Sequence, residues 1–333
     1  MDRTIFDEDH EMFRDASRAF LINEIKPFRD KWDEQEIVDR EAFLKAGEQG
    51  LLCMWADEKY GGAGITDFRF EQILLEENAK HGDVGFFIFL HNRLVGPYIG
   101  DLGTEEQKQR WLPKCVSGEY ILAVAMTEAG AGSDISAIRT KAEDKGDHYL
   151  LNGSKTFISN GILADLVIVA AKTDPNSSHG ISLFVVERGM EGFERGKNLK
   201  KMGMHSQDTA EMFFNNVKVP KENLLGEWNR GFYHLMHFLA EERLLSAVGS
   251  LANSEAAYEV TLEYATDRKV FGRAVADYQV NRFKFADMRM EMDVCQAFID
   301  QCVTAHNEGN LTADDAAKAK LFATELEDRV TDA

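Results

Sequence analysis

The sequence has little cysteine and a shortage of basic side chains. Its 333 residues include 38 lysines and arginines against 57 aspartates and glutamates, which gives a formal net charge of −19. Non-specific binding to nucleic acid or to an anionic membrane needs a basic surface, so we expect neither partner. The four cysteines form no CxxC pair and show no metal-ligand spacing with histidine, which argues against a metal site and favours a reducing compartment.

Long apolar runs are missing too. No stretch approaches the roughly 20 residues that a membrane-spanning helix requires. The N-terminal sequence MDRTIFDEDHEMF is acidic, lacks the apolar core of a signal peptide and is not rich in arginine like a transit peptide. From these features we expect a cytoplasmic protein that does not enter a membrane.

The patterns that are present indicate an α+β protein of two or three domains. Residues 1–118 place apolar side chains at helical spacing, and residues 119–222 are typical of short strands separated by turns. Residues 223–333 return to helical periodicity and contain no proline. We therefore predict an N-terminal helical domain, a middle β-barrel-like domain and a C-terminal helical bundle.

Local signals predict several element boundaries. The capping-box sequence Thr104–Gln107 starts a helix that Pro113 is expected to help end. The turn-forming cluster Asp144–Asp147 predicts a β-hairpin. Gly231 opens a long helix that should reach about Arg268, and Phe271-Gly272-Arg273 breaks the pattern after it.

A glycine-rich stretch, Met126–Asp134, follows the apolar run Ile121–Ala125. Its glycines let the backbone approach a ligand closely, and Thr127 and Ser133 add hydroxyl groups that can donate hydrogen bonds to phosphate, ribityl or ring acceptors. Taken alone, the pattern is also that of an ordinary turn after a strand.

A second stretch, Lys155–Gly161, lies between apolar runs about 25 residues further on. Together the two stretches resemble the flavin-binding motifs of the acyl-CoA dehydrogenase family, whose usual first motif is TEPGAGSD, so that Ala129 replaces a proline. The resemblance runs from about Phe6 to the last residue. It is closest to the long-chain members, especially over Gly231–Ala247.

The resemblance implies a three-domain flavoenzyme that binds flavin adenine dinucleotide (FAD). Such an enzyme dehydrogenates an acyl-CoA to the trans-2-enoyl-CoA and passes electrons to electron-transferring flavoprotein, usually as a homotetramer. Long straight chains are favoured. An isovaleryl-type branched short-chain enzyme, an acyl-CoA oxidase of the same fold and a non-catalytic CoA-ester-binding fragment stay open. Family members continue with a Gly-Gly turn and one more helix, so we expect the C-terminal bundle to be incomplete.

The resemblance also implies which carboxylate acts as the catalytic base. An isolated Glu-Glu-Arg is typical of a solvated helix face. In the long-chain and isovaleryl branches the base stands on this helix immediately before the arginine, the position that Glu242 occupies. Glu241 lies about 100° around the helix, so both cannot face the same α-carbon.

The remaining site residues follow from the same resemblance. The residues expected to bind FAD are Met126, Thr127, Ser133, Phe157, Ile158, Ser159, Arg268, Phe271 and Gln279. The residues expected to bind the acyl-CoA are Ser133, Ser178, His179, Tyr233, Ala240, Glu241 and Arg243. His91, in an apolar run, is expected to be a core histidine rather than a catalytic one.

Overall fold

A computed structural model describes residues 3–333 of the chain, which form two compact units. The first, here called the sheet unit, consists of Glu24–Thr66 and Asp83–Phe238. The second, here called the helical unit, consists of the chain up to Asn23 together with Asp67–Gly82 and Leu239–Ala333. The predicted α+β architecture of N-terminal helices, a central sheet and C-terminal helices is confirmed. The predicted domain boundaries stay a prediction.

The α-helices are α1 (Glu8–Phe20), α2 (Arg29–Gln35), α3 (Arg40–Glu48), α4 (Phe68–His81), α5 (Gly96–Leu102), α6 (Glu105–Val116), α7 (Gly231–Asp267), α8 (Gln279–Asn307) and α9 (Ala313–Asp332). The strands are β1 (Leu122–Ala125), β2 (Lys141–Asp144), β3 (His148–Ser159), β4 (Leu166–Lys172), β5 (Ile181–Glu187), β6 (Phe193–Asn198), β7 (Thr209–Pro220), β8 (Leu224–Leu225), β9 (Lys269–Val270) and β10 (Arg273–Ala274). Within residues 3–333 no helix combines the length and the apolar character needed to cross a membrane.

The sheet unit is built on an eight-stranded sheet in the order β6-β7-β3-β2-β4-β5-β8, with β1 pairing in parallel with β4. Successive residues of β4 enter two different hydrophobic clusters, because side chains alternate between the faces of a sheet. Leu166 and Ile168 join the cluster that contains Trp111 and Phe238, while Val167 and Val169 join the cluster of the other face. Burial on both faces explains the unbroken apolar run of this strand.

The helical unit holds its helices together by stripes of small and apolar residues. On α8 the buried apolar positions are Met292, Cys295, Ile299, Cys302 and Val303, at the three-to-four spacing of one helix face. On α9 the buried positions are Ala316, Ala319, Ala323, Leu326 and Val330, and this helix contacts α8. The alanines allow close approach of the two helices.

Local predictions are confirmed in part. Thr104 and Gln107 form the reciprocal capping box that starts α6, and β2 and β3 pair as the predicted hairpin. The prediction that Pro113 helps end α6 is wrong, since the helix continues to Val116. Proline removes one helical hydrogen bond, but the Ser117 amide still donates to the Pro113 carbonyl at 3.0 Å, and burial of the last turn holds it helical. Strand β6 is absent from the prediction.

Asp165 fixes the start of β1, the strand that leads into the glycine-rich stretch. Its Oδ2 atom accepts hydrogen bonds from the Ile121 amide at 2.9 Å and from Arg40 Nη2 at 2.6 Å. Its Oδ1 atom accepts from Arg188 Nε at 3.1 Å. One carboxylate therefore ties α3, the end of β5 and the entry of β1 together.

We expect Asp165→Ala to lower the free energy of unfolding by about 2–3 kcal/mol, the scale of hydrogen bonds to a charged group. The Ile121 amide should lose protection from hydrogen exchange, because its acceptor is removed. The measurement pairs urea unfolding with exchange at that amide. Asp165→Asn keeps one acceptor oxygen and should lose less, and unchanged protection of Ile121 in the alanine variant would contradict this role.

Candidate functional site

The structure brings the glycine-rich stretch Met126–Asp134 and the second stretch, Lys155–Gly161, together at the ends of β1 and β3. The Thr156 amide donates a hydrogen bond to the Thr127 carbonyl at 2.9 Å. The Lys155 ammonium donates to the Met126 carbonyl at 2.8 Å. Two segments that are separate in sequence are thus one structural element of the sheet unit.

Lys155 also forms a buried ion pair with Glu128. Its Nζ lies 2.8 Å from Glu128 Oε1, and the exposed fractions of the two side chains are 0% and 9%. Burial lowers the pKa of Lys155 to about 8, against the opposing effect of Glu128. Burial works against ionisation of Glu128 as well, but the hydrogen bonds and charge of Lys155 outweigh it and lower the pKa of that carboxyl. The 2.8 Å contact is the geometry of an ammonium donating to a carboxylate.

Glu128 organises the turn beyond this pair. Its carboxylate accepts hydrogen bonds from the backbone amides of Arg139 at 2.7 Å and Thr140 at 3.0 Å. Its own backbone exchanges two 3.0 Å hydrogen bonds with Ala131, which closes the loop. A carboxylate with this many donors is held in one orientation, so the loop geometry is preset.

The glycines of this loop leave its backbone accessible. Gly130 and Gly132 are exposed, and a Cβ placed on either would meet no other atom within 4 Å. Neither glycine is needed by the packing of the protein itself. A ligand that lies against the backbone would account for both, and the exposed Ser133 hydroxyl lies next to them. These residues fit the phosphates and ring of a dinucleotide such as FAD.

Two exposed phenylalanines share an unusual backbone conformation. Phe157, at the end of β3, has φ +57° and a 68% exposed side chain. Phe271, in the tight turn between β9 and β10, has φ +53° and a 95% exposed side chain. The neighbouring Ile158 has a side chain buried in the core, which leaves its backbone as the part that can contact a cofactor, while Ser159 is half-buried.

Lys172 links the loop near Ser133 to the loop that carries Ser178. Its ammonium donates to the carbonyls of Ser136 at 3.1 Å, Ser177 at 3.2 Å and Ser178 at 2.9 Å. The two serines predicted to bind substrate therefore stand on loops joined by one side chain. The sequence offers no local signal for this role of Lys172.

His179 belongs to an aromatic cluster with the first residues of α7. Its ring stacks on Phe232 with centroids 4.1 Å apart and a tilt of 13°, and it meets Tyr233 edge-on at 5.9 Å. The Arg230 guanidinium lies over the Tyr233 ring at 4.5 Å. The structure thus places the predicted residues His179 and Tyr233 together and adds Phe232, which the sequence reasoning missed.

The remaining predicted residues belong to the helical unit. Ala240, Glu241, Glu242 and Arg243 occupy one turn of α7 and are all half-buried. Glu241 Oε2 lies 2.8 Å from His306 Nε2 at the end of α8, a contact that the sequence reasoning missed. Arg268, Phe271 and Gln279 are exposed residues at the β9–β10 hairpin and the first residue of α8.

His91 is a structural residue. Its side chain is fully buried, Nε2 is 2.8 Å from the Cys115 carbonyl oxygen, and burial lowers the pKa of His91 to about 4. A neutral, fully enclosed imidazole that bonds to the backbone fits the expected core role.

Comparison with known proteins gives the same family along the whole chain. Models of the N-terminal, middle and C-terminal domains of acyl-CoA dehydrogenase match residues 7–119, 123–217 and 229–333. The chain is 44% identical over 331 residues to the mitochondrial long-chain specific acyl-CoA dehydrogenase of Rattus norvegicus, which covers 98% of this chain and 77% of that protein.

Solved structures agree with this assignment. The crystal structure of an acyl-CoA dehydrogenase from Geobacillus kaustophilus is 47% identical with a TM-score of 0.96, covering 99% of this chain and 87% of the other. A glutaryl-CoA dehydrogenase from Mycobacterium smegmatis in complex with FADH2 is 28% identical with a TM-score of 0.90, covering 98% and 83%. The chain belongs to the acyl-CoA dehydrogenase family, whose members are FAD-dependent oxidoreductases.

Proposed function

We propose that this protein dehydrogenates a long-chain acyl-CoA to the trans-2-enoyl-CoA, with Glu242 as the base. The observation that carries the proposal is the position of Glu242, half-buried on α7 immediately before Arg243. The 44% identity to the rat long-chain enzyme along almost the whole chain supports a long acyl substrate.

The reaction requires a carboxylate base that is held in a defined orientation. The α-proton beside a thioester is only weakly acidic, so the base must be aimed at it and the developing enolate oxygen needs hydrogen-bond donors. A residue within a 37-residue helix has a regular backbone, which limits the directions that its side chain can take. The chemistry that bound FAD would supply is the acceptance of the β-hydrogen as a hydride. Glu242 takes the α-proton on its carboxylate.

The cofactor contacts are inferred residue by residue. Met126 and Thr127 would touch the flavin ring, and Ser133 would reach the flavin phosphates or the pantetheine of the substrate. Phe157 would pack beside the ring, with the Ile158 backbone and Ser159 next to it. The exposed hairpin and helix start would hold the nucleotide of a partner subunit in a homotetramer through Arg268, Phe271 and Gln279.

The substrate contacts lie on two parts of the chain. In the sheet unit, Ser178 and the stacked His179 and Tyr233 offer hydroxyl and aromatic surfaces for the polar end of an acyl-CoA. In the helical unit, Ala240, Glu241 and Arg243 flank the base on α7. Coenzyme A is an anion and the chain carries a net charge of −19, so the cation of Arg243 would favour binding locally.

Electron-transferring flavoprotein is the proposed electron acceptor, and the homotetramer follows from the expected sharing of FAD between subunits. A cytoplasmic location stays a prediction from the sequence, while the rat relative is named as a mitochondrial protein.

We expect Glu242→Gln to lower the rate of flavin bleaching by about 10²–10⁴-fold, the range of a general base. The amide keeps the shape of the side chain but cannot take a proton. The measurement is the visible spectrum during anaerobic mixing with palmitoyl-CoA. The matched control is Glu263→Gln, an exposed glutamate on the same helix, which should keep the full rate. Bleaching that survives in Glu242→Gln with flavin bound would show that another group is the base.

The same titration across C4–C16 and isovaleryl thioesters ranks the substrates of the wild-type protein. The limiting bleaching rate divided by the apparent Kd should be highest for the long straight chains. A higher value for isovaleryl-CoA would replace the long-chain proposal by the branched short-chain one.

The Lys155–Glu128 pair should control retention of FAD, because it holds Met126–Asp134 and Lys155–Gly161 together, the two stretches proposed to bind the flavin. Lys155→Met leaves a buried carboxylate without its cation and should lower the free energy of unfolding by about 3–5 kcal/mol. We expect the same variant to release FAD on gel filtration. Adding Glu128→Gln to it should recover part of this loss, since no uncompensated charge then remains, although one of the two backbone amides loses its acceptor oxygen. A double variant as unstable as the single one would contradict this account.

The electron acceptor is tested by reoxidation of the substrate-reduced protein. We expect reoxidation in air to be slow and reoxidation by electron-transferring flavoprotein to be fast, with turnover followed by reduction of a dye coupled to that flavoprotein. Rapid reoxidation by oxygen alone, with hydrogen peroxide formed, would identify an acyl-CoA oxidase.

A further inference from the structure

The end of α8 holds α7 one residue away from Glu242. His306, in the last turn of α8, lies with Nε2 2.8 Å from Oε2 of Glu241. Both side chains are largely withdrawn from water, with exposed fractions of 19% and 21%. A hydrogen bond to a carboxylate is stronger than one between neutral groups, and it is less weakened where water is excluded.

His306 is itself fixed by the start of α4. Its ring lies 4.8 Å from the ring of the fully buried Phe68. The next residue, Asn307, accepts a hydrogen bond from the Phe68 amide at 2.8 Å and donates to Asp67 Oδ1 at 2.6 Å. The last turn of α8 is therefore anchored at two successive residues, and the imidazole is presented to α7 from a rigid support.

The two ring nitrogens of His306 have different surroundings. Nδ1 is buried and has no hydrogen-bond partner among residues 3–333. A carboxylate oxygen can only accept, so the Nε2 atom that faces Glu241 carries a hydrogen and donates it.

We propose that His306 is a positioning residue for the base. Through its hydrogen bond to Glu241 it fixes the rotation of α7 about its own axis at the turn that carries Glu242. Successive residues stand about 100° apart on a helix, so fixing one side chain fixes the direction of the next. In this role Glu241 orients α7 through His306, in addition to its proposed place beside the acyl-CoA. The inference rests on the proposed role of Glu242.

The effect on the reaction follows from the geometry of proton transfer. A base must reach hydrogen-bond distance of the proton that it removes, and a misplacement of 1 Å can lower the rate by 10²-fold. Binding of the acyl-CoA depends on many other contacts. Loss of the His306 contact should therefore lower the rate of the chemical step and leave substrate affinity nearly unchanged.

The test is stopped-flow reduction of the flavin by palmitoyl-CoA under anaerobic conditions. We expect His306→Ala to lower the limiting bleaching rate about tenfold while the apparent Kd changes less than about twofold. His306→Gln should restore most of the rate, because its amide N–H can reach the same carboxylate. Glu241→Ala, which removes the acceptor instead, should reproduce the loss, and it decides the matter if His306→Ala does not fold.

Asn307→Ala is the matched control. It removes one of the two anchors of the last turn of α8 but leaves the Glu241 contact, so its loss of limiting rate should be clearly smaller than the tenfold loss in His306→Ala. Equal losses in His306→Ala and Asn307→Ala, or no rescue by glutamine, would overturn the positioning role. Glu242→Gln in the same series separates the two proposals. Retained bleaching there would overturn the base assignment, whereas lost bleaching with a wild-type rate in His306→Ala would overturn only the role of His306.

Discussion

A single ammonium group inside the sheet unit joins the two segments on which cofactor binding depends. Lys155 reaches the Met126 carbonyl and the Glu128 carboxylate, and Glu128 in turn holds the amides of Arg139 and Thr140. A buried ion pair adds little net stability compared with apolar packing, but removing either partner alone is severe. The main effect of the Lys155–Glu128 pair is to hold the exposed glycine-rich loop in one conformation, because that loop has few contacts of its own.

Much of this arrangement follows from local patterns in the sequence. Turn-forming residues predict the hairpin and the glycine-rich turn, and the spacing of apolar residues predicts the long helix from Gly231. The partnership of Lys155 and Glu128 is not, since a single sequence gives no information on contacts across 27 residues. The one available signal is the alternation of side chains along β3, in which Lys155 is separated from Tyr149 and Leu151 by even numbers of residues and so faces the interior as they do. A charged side chain that faces the interior needs a partner.

The base shows a second limit of sequence reasoning. Helical spacing places Glu241 and Glu242 on one helix but gives no reason to prefer either, and only the family resemblance chooses between them. The structure adds one contact that the sequence does not indicate, between Glu241 and a histidine 65 residues away in the chain. The prediction for Pro113 also fails because of a contact outside the local sequence. Burial of the last turn of α6 keeps it helical although it contains a proline.

The two exposed phenylalanines carry a consequence for the evolution of this chain. Phe157 and Phe271 both adopt left-handed φ values, which a bulky side chain tolerates only at a conformational penalty of order 1–3 kcal/mol each. Gly146, in the β2–β3 turn, shows that glycine takes such angles without strain. Selection for thermostability alone would therefore tend to replace both rings by glycine or asparagine. Their presence marks two surface points where the chain gives up folding stability to present an aromatic side chain.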